Sequence, residues 1–213
     1  MSTPRPIQTF YDGRFFRSRL EARWAVVFKT LGVPYEYEPE GFDLGGINYL
    51  PDFRVKCYGK RGDYESEPFD LYIEVKGQMT AEDAEKIRRF CAFREQGEGL
   101  IEIPDNPLLI VHTIPNDGCA TDYAMSEYNM GFDIYPFNYE TIDGDWFPAY
   151  PAATDDGRFY LFGGDSSYIN EKDELRMEYA YMAARCARFE HGETPQTIKQ
   201  HFIGQHPCVR RRL

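Results

Sequence analysis

The stretch from Leu50 to Gly77 constrains the fold more than any other part of the chain. Within it Phe69, Leu71, Ile73 and Val75 alternate with Asp70, Tyr72, Glu74 and Lys76, the period-two pattern of a strand with one buried face. Glu74 and Lys76 must then point the same way. Upstream, Phe53, Val55 and Cys57 alternate with Asp52, Arg54 and Lys56, and the polar, glycine-bearing gap from Tyr58 to Pro68 reads as a hairpin loop. Pairing the two strands brings Asp52 beside Glu74. Two carboxylates and an ammonium then share one surface.

The flanks place this hairpin in an α/β (α+β) layout. Ser18 to Leu31 reads as a helix, with Leu20, Trp24, Val27, Phe28 and Leu31 on one side, Gly32 as its stop and Pro34 barring continuation. Ser18-x-x-Glu21 fits a capping box. Glu21 also borders the apolar stripe, so its carboxylate has a second option, facing inward at the sheet edge. Pro34 to Phe42 is expected as a first strand and Gly45-Gly46 as a turn; no GxxxxGK[ST] follows, so no nucleotide cofactor is implied. Pro51 belongs at the start, edge or bulge of the strand Tyr49 to Cys57.

After Gly77, Thr80 opens a helix with Asp83 at the capping-box position and Ala84, Ile87, Phe90 and Cys91 toward the sheet. Leu108 to Thr113 reads as a buried strand parallel to a neighbour, because a helix intervenes. Residues 118–167 turn rich in Tyr, Phe, Gly, Pro and Asp, with turn signals at Asp143-Gly144 and Asp156-Gly157. A long helix from Asn170 to His191 follows, its inward face assigned to Leu175, Tyr179, Met182, Ala183, Cys186 and Phe189, then a short helix from Thr194-Pro195. The expected divisions are a flexible arm 1–16, a core 17–117, an aromatic-rich β elaboration 118–170, and C-terminal helices with a basic tail 171–213 packed on the same domain.

Charge is split along the chain. The net charge is −11, yet residues 1–31 hold six basic against two acidic residues and residues 196–213 hold four basic and no acid, leaving −19 between them. Basic ends suit contact with a polyanion, and the acidic middle argues against a generic nucleic-acid coat. Five scattered cysteines, never spaced as CxxC, point to reduced thiols rather than a disulfide framework or zinc ribbon. His201, His206 and Cys208 lie close together but match no zinc spacing. No run of about 18 apolar residues occurs and Met1 to Gln8 lacks a signal-peptide layout, so a soluble, cytoplasmic protein with no membrane partner is expected.

The paired carboxylates suggest chemistry. Asp52 and Glu74 are hard ligands suited to Mg²⁺, and through such an ion they could neutralise a phosphodiester, activate a water and stabilise the leaving oxygen. Without a cation they would repel, and Lys76 is an ammonium on their face. In order and placement these residues resemble the PD-(D/E)xK nucleases: Pro51-Asp52 is similar to the PD and Glu74-Val75-Lys76 to the ExK.

The resemblance covers roughly residues 17–113 and implies a restriction-endonuclease-like core, a helix, three strands, a helix and a strand around a mixed sheet. It further implies that Asp52, Glu74 and the Val75 carbonyl bind Mg²⁺, with Mn²⁺ able to substitute, and that Lys76 assists the water. Glu21 would support the metal or orient Lys76, and Gln78 is a secondary candidate. The expected activity is hydrolysis of DNA, with Arg14, Arg17, Arg19, Lys86 and Arg89 as candidate contacts to the DNA backbone. The likeness extends to bacteriophage-encoded members, and paired cuts would suit a homodimer or a larger nucleic-acid-processing complex. A non-catalytic protein that keeps the fold and meets a protein partner is the alternative.

Overall fold

The computed structural model describes residues 6–61, 64–90, 107–115, 132–135, 139–140, 146–147, 149–163 and 171–189. In chain order their elements are β1 (Thr9–Tyr11), β2 (Arg14–Phe16), α1 (Arg19–Leu31), β3 (Tyr35–Tyr37), β4 (Phe42–Asp43), β5 (Asn48–Tyr49), β6 (Phe53–Arg61), β7 (Tyr64–Glu65), β8 (Phe69–Val75), α2 (Ala81–Phe90), β9 (Leu108–Val111), β10 (Phe132–Tyr135), β11 (Tyr139–Glu140), β12 (Trp146–Phe147), β13 (Ala149–Ala153), β14 (Phe159–Gly163) and α3 (Glu171–Cys186). None of the described helices is long and apolar enough to cross a membrane.

The expected hairpin forms the middle of a mixed sheet. β6 and β8 pair antiparallel, Phe53 opposite Ile73 and Cys57 opposite Phe69. Beyond them the order is β10-β9-β8-β6-β14-β13, with β3 and β7 also on β6. β9 runs parallel to β8 and is buried throughout, as the intervening helix predicts. The division at residue 117 does not separate the sheet, because β14 lies parallel against β6. Within the expected arm, residues 9–16 are folded: Asp12-Gly13, both at positive φ, turn β1 into β2, and Phe16 is fully buried.

β8 departs from the one-faced pattern. Leu71, Ile73 and Val75 join Phe53, Val55, α1 and α3 in the larger core. On the opposite face Tyr72 is buried too, because Ile87 and Phe90 of α2, with Tyr49 from the β4–β5 hairpin, cover it. Glu74 on that face is therefore enclosed rather than solvated, while Asp70, at the other end of the strand, stays partly exposed.

The caps of α1 follow the sequence. Ser18 Oγ accepts the Glu21 N–H at 3.1 Å, and Gly32, at φ 73°, ends the helix with the Val33 N–H on Phe28 O at 2.9 Å. Trp24 Nε1 donates to His112 O at 2.8 Å, fastening α1 to the end of β9. In α3 the inward face differs from expectation: Leu175 is 48% exposed, while Met177, Ala180, Tyr181, Ala183 and Ala184 are buried. The alanines let α3 approach α1 closely, and this packing outweighs the preference for turning a leucine inward. The helix ends at Cys186, before the expected His191; Asn170, Asp143-Gly144, Thr194-Pro195 and the His201, His206, Cys208 group lie outside the described residues.

Candidate active site

The break between β5 and β6 builds the site. Pro51 cannot donate to a ladder, and β6 begins only at Phe53, so the end of β8 projects past its neighbour's backbone. Asp52 fills the gap: its Oδ2 accepts the Val75 N–H at 2.7 Å, replacing a ladder bond with a side chain. In an extended strand the Val75 carbonyl leaves by the same edge as its N–H, toward Asp52. Lys76 N–H donates to Val111 O at 2.9 Å and His112 Nδ1 lies 2.6 Å from Lys76 O, so the strand end holding the lysine is fixed.

Asp52, Glu74 and Lys76 line one cleft of about 390 Å³, together with Glu21, Arg17, Val75, Tyr49, Asp83 and Lys86. Three of its carboxylates are almost wholly enclosed, Glu21 at 6%, Asp52 at 2% and Glu74 at 4% exposure. Glu74 Oε2 accepts the Tyr49 hydroxyl at 2.9 Å, and Oε1 pairs with Lys76 Nζ at 2.9 Å. Lys76 Nζ also meets Asp83 Oδ1 at 2.8 Å. Burial works to lower the lysine's pKa, but Glu74 and Asp83 outweigh it and the net shift is upward. Lys76 is a fixed ammonium, not a proton acceptor.

Glu21 takes parts of both roles open to it. Its N–H is capped by Ser18, but its carboxylate does not close the box: Oε2 accepts the Tyr37 hydroxyl at 2.6 Å and the Arg17 N–H at 3.1 Å. It faces inward near Asp52. Burial, then Glu74 and Glu21, push Asp52 up to about 8, against the Val75 N–H and Arg17, which favour its ionised form. The enclosed carboxylates exceed what their cations neutralise.

Arg17, expected as a DNA contact, bridges acids in the folded chain. Its guanidinium pairs with Asp52 Oδ1, with Glu38 Oε1 at 2.9 Å and with Glu21 Oε2 at 3.9 Å. Glu38 holds a left-handed φ of 49° and donates its N–H to Asp52 O at 2.8 Å. The other candidate contacts are more dispersed. Arg14 lies over the Tyr35 ring at 5.5 Å, Arg19 opens α1, Lys86 pairs with Glu82 at 2.7 Å on the cleft wall, and Arg89 pairs with Glu85 at 2.7 Å. Gln78 is exposed and does not line the cleft.

Sequence reasoning passed over Tyr49, Tyr37, Glu38 and the second role of Asp83. Asp83 closes the capping box of α2, its N–H donating to the Thr80 hydroxyl oxygen at 3.1 Å and its Oδ2 accepting the Thr80 N–H at 3.1 Å and hydroxyl at 2.6 Å, while its other oxygen holds Lys76. Its place one turn into a helix after an ExK was the available signal.

Among the described residues no three His, Cys, Asp or Glu side chains form a ligand group for one ion. The donors do fit magnesium in a leaner form: two carboxylates and a strand carbonyl are hard oxygen ligands, and Mg²⁺ ordinarily keeps waters in its remaining positions. The charge excess around Asp52 is an observation that such an ion would relieve. Comparisons of the chain with family models, with curated proteins and with solved structures find no match.

Proposed function

We propose that the chain is a magnesium-dependent nuclease with a restriction-endonuclease-like core, cutting DNA phosphodiester bonds internally. The observation carrying this reading is that Asp52, Glu74 and Lys76 line one cleft, with Asp52 bonded to the N–H of the residue between the other two. In this reading Asp52, Glu74 and the Val75 carbonyl hold the ion, which when bound neutralises phosphate charge and lowers the pKa of a water. Tyr49 orients Glu74 through its hydroxyl, and the Val75 N–H fixes Asp52. Lys76 keeps its proton and offers N–H donors to the negative charge that grows as water attacks phosphorus and the sugar oxygen departs. Asp83, anchored by the capped end of α2, keeps the lysine from collapsing wholly onto Glu74.

A non-catalytic binding protein is the second reading, favoured by one feature: Asp52, Glu74 and Glu21 each already have partners within the chain. Incubation with supercoiled, linear, single-stranded and branched DNA, in Mg²⁺, Mn²⁺ or chelator, separates the two. Metal-dependent cleavage that drops on the order of a hundredfold or more in Glu74→Ala and in Lys76→Ala is expected. Cleavage that survives both substitutions rules out this site, and cleavage of no substrate favours the binding protein.

A further inference from the structure

We infer that Arg17 is a displaceable counter-cation, which occupies Asp52 until a divalent ion takes its place. The inference rests on the nuclease reading of the site and concerns a residue to which that reading gave only a DNA contact. Its basis is the contrast between the two cations of the cleft. Lys76 is built in: its side chain is 24% exposed and is held by Glu74 on one side and by the cap of α2 on the other. The Arg17 backbone is anchored, its N–H lying 3.1 Å from Glu21 Oε2 and 3.0 Å from the Tyr37 hydroxyl, while its guanidinium is held by the carboxylates of Asp52, Glu38 and Glu21. Its side chain is 52% exposed and reaches in from the rim.

Once ionised, Asp52 needs a cation beside it. It is enclosed beside Glu74 and Glu21, and its Oδ1, the oxygen that Val75 does not use, is the one Arg17 covers. Arginine and a divalent ion therefore compete for one oxygen and for the same negative field. Glu38 supplies the alternative seat. It stands on the rim with its side chain 32% exposed and already takes Arg17 Nε at 2.9 Å, so the guanidinium can release Asp52 by turning about that contact. Glu38 thus keeps the displaced arginine at the mouth of the cleft.

The test is Mn²⁺ binding to the full chain without DNA, measured by calorimetry and by the Mn²⁺ electron paramagnetic resonance signal. The chains compared are the unaltered one, Arg17→Gln, Arg17→Lys and Glu74→Gln, with thermal melts to show that each is folded. A charge-assisted hydrogen bond to a buried carboxylate implies that Arg17→Gln binds Mn²⁺ on the order of tenfold more tightly. Arg17→Lys, which restores a cation, should return toward the unaltered affinity. A merely structural role for Arg17 predicts the reverse, weaker binding in the glutamine variant. If Glu74→Gln abolishes binding while Arg17→Gln is unchanged or weaker, the counter-cation idea fails and the metal site stands. If none of the chains binds Mn²⁺, both fail.

Discussion

Asp52→Asn should make the chain more resistant to unfolding at pH 8 than the unaltered protein, when both are stripped of divalent ions. Asp52 titrates at 3.8 when unperturbed and is pushed to about 8 in the folded chain, by burial first and by Glu74 and Glu21 after it. That displacement corresponds to on the order of 5 kcal/mol between its two protonation states. The sign is fixed by linkage. Below pH 3.8 both folded and unfolded chains hold the proton and Asp52 contributes no slope. Between pH 3.8 and about 8 the folded chain keeps a proton that the unfolded chain has lost, so this group makes stability fall as pH rises. The slope is about 1.4 kcal/mol per pH unit, and it levels off above the folded value.

Asparagine has no such titration, keeps an acceptor oxygen for the Val75 N–H and adds no charge beside Glu74 and Glu21. Urea unfolding in chelator at pH 5, 6, 7 and 8, followed by tryptophan fluorescence with Trp24 buried in the core, gives the difference curve between the two chains. Its growth toward high pH by a few kcal/mol is the expected outcome. A flat curve, or one favouring the aspartate as pH rises, would refute the reasoning. Arg17 and the Val75 N–H would then hold Asp52 as an ordinary ionised carboxylate, and the site would carry no charge excess for a metal to relieve.

Two further substitutions test how the site is supported. Gly157→Ala should destabilise the chain by about 2 to 4 kcal/mol in urea unfolding, because it combines overpacking with a side chain in the left-handed region. Its new Cβ would lie 2.5 Å from Gly32 O, at a φ of 81°. Asp83→Ala removes the side-chain half of the capping box of α2, leaving the residue-83 N–H on the Thr80 hydroxyl, and takes away one of the two carboxylates on Lys76; a loss of about 1 to 2 kcal/mol in unfolding free energy from urea titration is expected. Glu82→Ala on the exposed side of the same turn is the comparison that should cost less.

The parts of the fold that were legible in the sequence are those whose causes are local. Ser18 and Gly32 end α1 because their chemistry acts within one turn, and the β6–β8 pairing follows from alternation. Asp12-Gly13 carried an equally local hairpin signal, but three-residue strands give too little alternation to announce themselves. What stayed hidden depends on segments distant in sequence. Burial of Tyr72 and Glu74 needs α2 and the β4–β5 hairpin folded across them, and Leu175 faces out only because alanines bring α3 against α1. In the candidate site, alternation and spacing brought Asp52, Glu74 and Lys76 together. Position alone could not show that Arg17 reaches across 35 residues to Asp52, or that Asp83 divides its oxygens between a helix cap and a lysine.

The parallel contact of β14 with β6 has a consequence for the order of events on the ribosome. Phe159 pairs with Cys57 and Phe162 with Lys60, so about a hundred residues must be synthesised before that edge of β6 finds its partner. Until then a strand carrying buried Val55 and Cys57 has only β3 beside its first residues on that side. Asp52 opens this same strand. The residues that line the cleft all lie between Pro6 and Ile87, so a chain interrupted before residue 159 would have an unpaired sheet edge at the end of β6 remote from Asp52.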